Sequence, residues 1–207
     1  MGTVCEVKGG ANRASSGTTP ASSEAVIPVT RPLVKNGSYA FPVASPFYFK
    51  DTWNAARTGH VHKGVDIFAI KTTRVYAITA GVITLLANWK GAGLTIRLKG
   101  SDGRGYEYMH LDDFEASLKA AFGLPQDFYD QPDLKTRKWG RYDVSAGKPI
   151  GFVGSSGVGN CAPHLHFQVF PNHRFILDER INLYAFLAEL CTGIKDTVVK
   201  SVTSYVL

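Results

Sequence analysis

The sequence lacks several signals that would place it in other protein classes. No apolar stretch approaches the roughly 20 residues that cross a bilayer, so we expect no membrane span. The first residues, MGTVCEVKGGANRASSG, lack the apolar core of a secretory signal, so we expect no export by that route. No HExxH motif occurs, which excludes the zinc site of helix-borne metalloproteases. The glycine-rich segment at 154–159 lacks the lysine of a phosphate-binding loop.

Cysteine is also scarce, with three residues, Cys5, Cys161 and Cys191, and no CxxC pair. An odd and widely spaced set does not predict a disulfide framework, so we expect buried free thiols. Cys161 lies three residues before a pair of histidines, and a role for it at a site stays open.

Charge and composition predict a globular protein with a basic surface. Hydrophobic residues make up 44% of the chain and charged residues 19%, and the net charge is +6. A basic surface attracts polyanions, including the phosphate-rich polymers of bacterial walls. The basic residues cluster only at 135–138 (KTRK), without a nucleic-acid-binding motif, so we expect no nucleic-acid partner.

The distribution of glycine, serine and proline divides the chain. Residues 1–38 are rich in Gly, Ala, Ser and Thr and predict an extended or flexible N-terminal tail. We predict a globular domain at 39–190 and a C-terminal tail at 191–207. Within the domain, the stretch from Leu124 to Tyr142, with its prolines and charges, predicts a long surface excursion.

Periodicity predicts a mainly β fold with few short helices. The segment Leu94–Lys99 alternates apolar and polar residues, as in a half-buried strand, and Asp102-Gly103 predicts a hairpin turn after it. Successive short strands without intervening helices favour antiparallel sheets. Helical patterns occur at Glu115–Phe122 and Asp178–Leu190, the second with Asp178 as a candidate cap.

Five of the six histidines fall in three short segments. In PHLHFQV (163–169), alternation places His164, His166 and Gln168 on one face of a strand. In YEYMHL (106–111), alternation predicts that Tyr106, Tyr108 and His110 share a face and that Met109 and Leu111 face the core. Tyr108 is therefore either a groove residue or an ordinary exposed aromatic.

The third segment, HVHKGVD (60–66), contains HxxxD. His62, Asp66 and one histidine of the HLH pair form a three-ligand set that leaves a fourth tetrahedral position for water, as in catalytic zinc sites. His60 lies two residues before His62, and it either supports the site or is merely solvated.

These segments occur in an order that resembles the lysostaphin-type (LytM-like) zinc metallopeptidases. The resemblance covers Phe41 to about Leu187. The matching segments are HKGVDIFA (62–69), VYAITAGVI (75–83), GLTIRL (93–98), YEYMHLD (106–112), AGKPIGFVGSSG (146–157) and PHLHFQV (163–169).

The resemblance implies an antiparallel β fold with a groove over the sheet, and hydrolysis of peptides in peptidoglycan. It implies His62, Asp66 and His166 as ligands of Zn²⁺, and His110 and His164 as catalytic histidines that do not bind the metal. Which of these two is the general base stays open. The sequence departs from the family at Ile70–Arg74, where a Pro-Gly turn is usual, in the long connection at about 114–144, and at Cys161. Because this connection is longer than the family's, we predict that residues 115–145 form an insertion of helix and loop, placed as a wall beside the groove.

Two alternatives stay open. The chain could instead be a non-catalytic wall-binding or activator module on the same fold. As an enzyme at the bacterial cell wall, it could be a phage tail or lysis component whose partners are other virion subunits, a setting that the missing signal sequence suits.

Overall fold

The computed structural model describes residues 3–5, 34–35, 37–57, 59–130, 132–133 and 136–191. Most of the predicted tail at 1–38, and residues 192–207 of the C-terminal tail, lie outside the described residues, and the proposed domain limits stay a prediction. Among the described helices, none has both the length and the apolar character needed to cross a membrane.

Fourteen strands are the main regular elements of the described chain. In chain order they are β1 (Thr3–Cys5), β2 (Val34–Lys35), β3 (Tyr39–Ala40), β4 (Phe47–Phe49), β5 (Ala56–Arg57), β6 (His60–Val61), β7 (Val65–Phe68), β8 (Arg74–Tyr76), β9 (Gly81–Trp89), β10 (Gly93–Gly100), β11 (Gly105–Phe114), β12 (Arg137–Val144), β13 (Pro149–Val153) and β14 (His164–Phe170).

Ten of these strands form one sheet, in the order β1-β4-β7-β14-β11-β10-β9-β12, with β13 pairing β11 and β8. All of its pairs are antiparallel. Strands β2–β3 and β5–β6 form two small antiparallel pairs. The mainly antiparallel β fold is confirmed. The hairpin turn at Asp102-Gly103 is confirmed as well, because it joins β10 to β11.

The helices are short, as expected, but one lies elsewhere than predicted. Helix α1 (Ala116–Phe122) ends at Gly123, which adopts the left-handed conformation of a C-cap. The predicted helix at 178–190 is wrong in its first half: Leu177–Glu179 is a 3₁₀ turn, and α-helix covers residues 184–191. Asn182, not Asp178, caps it, because its side-chain oxygen accepts a hydrogen bond from the Tyr184 N–H.

The insertion at 115–145 is not the wall of helix and loop that the sequence predicts. It contains α1, a 3₁₀ turn at Gln126–Tyr129, and β12, which extends the sheet beyond β9. Since β12 is an edge strand with most residues exposed, it has no apolar alternation that could reveal it. Two strands, β9 and β10, separate β12 from β11, the nearest strand that carries a groove histidine, so this part of the insertion does not flank the site.

The core packs against one face of the central strands. Tyr106, Tyr108 and Phe167 are fully buried or nearly so, and Tyr106 stacks on Phe167 with ring centroids 5.9 Å apart. Leu165 and Val169 bury on the same side of β14. This packing gives the opposite face of β7, β14 and β11 a rigid support.

The expectation of three free thiols is wrong for Cys191, which is disulfide-bonded. Sequence spacing alone cannot reveal such a bond, because it depends on which chain segments meet in the fold.

Candidate metal centre

A groove of about 650 Å³ lies over the face of β7, β14 and β11 that is opposite the core. Its lining contains all five residues that the sequence singles out as ligands or catalysts: His62, Asp66, His110, His164 and His166. All five are more than nine-tenths buried, so they meet at the floor of the groove.

Strand register brings the three predicted metal ligands together. Strands β7 and β14 pair so that Asp66 lies opposite His166, and His62 precedes β7 by three residues. His62 Nε2 lies 3.0 Å from both Asp66 Oδ1 and His166 Nδ1, and His166 Nδ1 lies 2.7 Å from Asp66 Oδ1. Among the residues that the structure describes, this trio is the group whose ligand atoms could hold a metal ion.

The surroundings of His62 show that the trio suits a cation. His62 Nδ1 lies 3.0 Å from the backbone carbonyl of Thr52. A carbonyl only accepts hydrogen bonds, so Nδ1 carries the ring hydrogen and donates a hydrogen bond to the Thr52 carbonyl. In this tautomer the lone pair of His62 Nε2 faces Asp66 and His166. Two nitrogens and one carboxylate oxygen facing an open groove match the donor set of a catalytic zinc site.

Asp66 is held in its ionised form. The guanidinium of Arg57, which is partly exposed, binds the second oxygen of Asp66 (Nη2–Oδ2, 3.0 Å). Oδ1 is therefore the oxygen left for a metal.

His110 reaches the groove through a backbone irregularity, which corrects the predicted alternation. Tyr108 faces the core, where its hydroxyl accepts a hydrogen bond from the Ile78 N–H, and Met109 lines the groove. His110 then adopts a left-handed conformation (φ 62°), and the pairing of β11 with β10 shifts register between Tyr108 and Leu111. This bulge puts two consecutive side chains, Met109 and His110, on the groove side. Tyr108 is therefore not a groove residue.

Backbone carbonyls orient the two histidines outside the trio. His110 Nδ1 lies 2.9 Å from the carbonyl of Ser156, and His164 Nδ1 lies 2.8 Å from that of Ala162. Each Nδ1 therefore carries a hydrogen and donates a hydrogen bond to its carbonyl. Each Nε2 is then free to interact with a molecule in the groove. The two ring centroids are 4.9 Å apart, and His164 Nε2 lies 4.0 Å from Asp66 Oδ1.

Burial, together with the neighbouring His166 and His164, lowers the pKa of His110 to about 4. Burial also lowers the pKa of His166, although the Asp66 carboxylate opposes this. Both rings are therefore neutral at pH 7. For His166 this is the form that binds metals, and for His110 it is the form that accepts a proton.

The remaining sequence candidates lie at the rim. His60 is exposed on β6 and lines the groove, so it belongs to its outer wall. Cys161 is a free, exposed thiol that also lines the groove, and it is not part of the group of candidate metal ligands.

Comparison with known proteins places this arrangement in a family. The model of "Peptidase family M23" matches residues 60–121, which include His62, Asp66 and His110. The catalytic domain of the antimicrobial peptidase lysostaphin from Staphylococcus simulans is 30% identical, with 68% of this chain and 89% of that domain covered and a TM-score of 0.49. The chain belongs to peptidase family M23.

Two full-length relatives show how far the likeness extends. Lysostaphin from Staphylococcus staphylolyticus is 37% identical over 117 residues, which is 55% of this chain and 19% of that protein. The DD-carboxypeptidase/endopeptidase Mpg from Neisseria meningitidis serogroup B is 29% identical over 126 residues, 61% of this chain and 24% of that protein. This M23 chain thus matches about a fifth to a quarter of each relative's length.

In this M23 chain the structure also brings in residues that sequence reasoning missed. Thr52 and Arg57 fix His62 and Asp66, and the Ser156 carbonyl fixes His110. Thr52 and Arg57 belong to no motif that we singled out, and their roles depend on how the segment before β7 folds. Alternation placed Gln168 on the HLH face of β14 as a third polar residue, but no motif indicated a function for it.

Proposed function

We propose that this chain is a zinc-dependent endopeptidase that hydrolyses peptide cross-links of peptidoglycan at the bacterial cell wall. The observation that carries the proposal is the convergence of His62 Nε2, Asp66 Oδ1 and His166 Nδ1 in a groove that the imidazoles of His110 and His164 also line. M23 membership and the peptidase and endopeptidase activities named for the relatives support it.

His62, Asp66 and His166 would hold the zinc, leaving a position open to the groove. When bound, zinc supplies Lewis-acid activation of water and of the scissile carbonyl. The protein itself arranges the ligands: Thr52 holds His62, and Arg57 occupies the outer oxygen of Asp66. Such outer contacts orient metal ligands in many sites.

We assign the two remaining histidines to proton transfer and to stabilising negative charge on the substrate. His110 is neutral at pH 7 and presents Nε2 to the groove, so we assign it as the proton acceptor. His164 presents Nε2 beside it, and we assign it to stabilise negative charge on the carbonyl oxygen of the substrate. The backbone carbonyls of Ser156 and Ala162 keep both rings in these orientations.

The shape of the groove suits an extended peptide. Gly91 and Ala92 line one part of it and leave space for a main chain to approach the histidines, while the exposed guanidinium of Arg57 lines another. Together these features favour a peptide substrate that enters from the open side of the sheet face.

Hydrolysis of purified peptidoglycan tests the proposal. Zinc-loaded protein should release soluble fragments with new amino groups, and chelation should stop the release until zinc is restored. Asp66→Ala should be inactive because it loses a ligand.

The same assay separates the non-catalytic alternative. A wall-binding or activator module would sediment with peptidoglycan and release no amino groups, even when loaded with zinc. The intact set of ligand atoms and both groove histidines favour the enzyme. The virion setting stays a prediction.

A further inference from the structure

A buried polar cluster lies behind His166, on the side away from the candidate metal position. Gln168 on β14 and Glu107 on β11 are register partners, and only 5% and 0% of their surfaces are exposed. Glu107 accepts a hydrogen bond from Arg97 (Nε–Oε1, 2.6 Å). Burying a carboxylate and an amide is unfavourable unless both are fully hydrogen-bonded, so the cluster needs a specific arrangement.

The neighbours of Gln168 determine which way its amide faces. One terminal atom of the amide lies 3.2 Å from Arg180 Nη1 and 2.8 Å from His166 Nε2, and the other lies 3.3 Å from Glu107 Oε2. A guanidinium only donates hydrogen bonds, and a carboxylate only accepts them. The atom beside Arg180 and His166 is therefore the amide oxygen, and the NH₂ group donates to Glu107.

This orientation fixes the protonation of the His166 ring. Because the amide oxygen can only accept a hydrogen bond, His166 Nε2 carries the ring hydrogen and donates a hydrogen bond to Gln168. In the neutral ring, Nδ1 then holds a lone pair, and this atom faces Asp66 Oδ1 and His62 Nε2. The opposite tautomer would let Nδ1–H donate to Asp66 Oδ1 across 2.7 Å, and that internal hydrogen bond would occupy the atoms that a metal needs.

We propose that Gln168 is a positioning residue that holds His166 in the metal-binding tautomer, with Arg180 and Glu107 fixing its amide. The arrangement selects against an internal hydrogen bond between His166 and Asp66 that would close the site. The inference rests on the proposed zinc site, but its main consequence, the ring tautomer, exists without metal.

Two isosteric replacements of buried amides test this. Gln168→Met removes the acceptor and keeps the volume. Asn88→Leu is the matched control, because Asn88 is equally buried but its amide donates to the Phe128 and Tyr129 carbonyls and does not line the groove. The readouts are the His166 tautomer in metal-free protein, from long-range ¹H–¹⁵N NMR, the zinc dissociation constant by chelator competition, and thermal unfolding.

In the unmodified metal-free protein we expect His166 to be protonated at Nε2. Gln168→Met should shift the ring towards Nδ1–H and raise the zinc dissociation constant by about 10- to 100-fold. Asn88→Leu should lower thermal stability to a similar degree while leaving tautomer and zinc affinity unchanged. That difference separates positioning from a general loss of stability.

An Nδ1–H tautomer in the unmodified protein, or an Nε2–H tautomer retained in Gln168→Met with zinc affinity changed by less than about threefold, would overturn the inference. If Gln168→Met fails to fold, the tautomer of the unmodified protein alone still decides, since the inference requires Nε2–H there. Weak zinc binding by the unmodified protein with the expected tautomer would count against the proposed function and not against the role of Gln168.

Discussion

Gly64 lies between the candidate ligands His62 and Asp66, and the structure leaves no room for a side chain there. A Cβ at this position would lie 2.6 Å from His166 Cε1, 2.7 Å from His166 Nε2 and 2.9 Å from the Phe167 carbonyl oxygen. Carbon atoms in good contact are about 3.5–4.0 Å apart, so Gly64→Ala requires a movement of about 0.9 Å or more.

The imidazole of His166 must make most of that movement. The Phe167 carbonyl belongs to the backbone of β14, where Phe167 pairs with Val65 of β7, so the strand resists displacement. Metal–ligand distances stay within about 0.2 Å of their preferred values. A misplacement of about 1 Å can lower a catalytic rate about a hundredfold, and we expect a similar sensitivity for the metal site. We therefore expect Gly64→Ala to raise the zinc dissociation constant roughly a hundredfold.

Chelator competition measures this constant, and Gly140→Ala is the matched control. A Cβ at Gly140 would lie 2.8 Å from Phe122 Cε1, a comparable overlap at β12, far from the groove. Both variants should lose about 1–3 kcal/mol of unfolding free energy, but only Gly64→Ala should lose zinc affinity. Zinc binding by Gly64→Ala as tight as that of Gly140→Ala would refute the claim that His166 is held against this glycine.

Three further predictions concern the groove. Because His110 and His164 lie outside the candidate ligand trio, replacing either by Ala should keep the zinc content and reduce peptidoglycan hydrolysis by about two to four orders of magnitude. Unchanged activity in the His110 variant would show that another base operates. The pKa of His110 is lowered, so its neutral form persists down to pH of about 4, and ring NMR shifts in metal-free protein should titrate there; a midpoint near the ordinary histidine value would contradict the burial argument. Arg57→Gln should weaken zinc binding by about tenfold, measured by chelator competition, because Asp66 loses the partner that orients its outer oxygen; unaltered affinity would show that Arg57 acts only on the surface.

The sequence contained the chemistry of the site because the chemistry lies in short segments. The HxxxD motif places two candidate ligands, His62 and Asp66, four residues apart in the chain. Strand alternation places His164 and His166 on the same face whatever the rest of the fold does. The predicted ligands and catalytic histidines all reach one groove in the structure. Their individual roles stay predictions.

The features that sequence analysis missed depend on contacts distant in the chain. Alternation failed at His110 because of the bulge there. The bulge is stabilised by Ser156, 46 residues later, because the Ser156 carbonyl accepts a hydrogen bond from the His110 ring. Strand β12 was missed because an edge strand with an exposed face has no apolar period. The role of Gln168 becomes visible only when β11 and β14 pair and Arg180 approaches it.

Zinc content in two variants tests the central claim most directly. His164 and His166 are two residues apart on β14 and equally buried, yet only His166 belongs to the candidate ligand trio. Elemental analysis after zinc loading and gel filtration should find about one zinc per chain in the unmodified protein and in His164→Ala, and almost none in His166→Ala. A zinc site that empties in His164→Ala and stays filled in His166→Ala would contradict the assignment, and no zinc in the unmodified protein would remove the basis for a metallopeptidase.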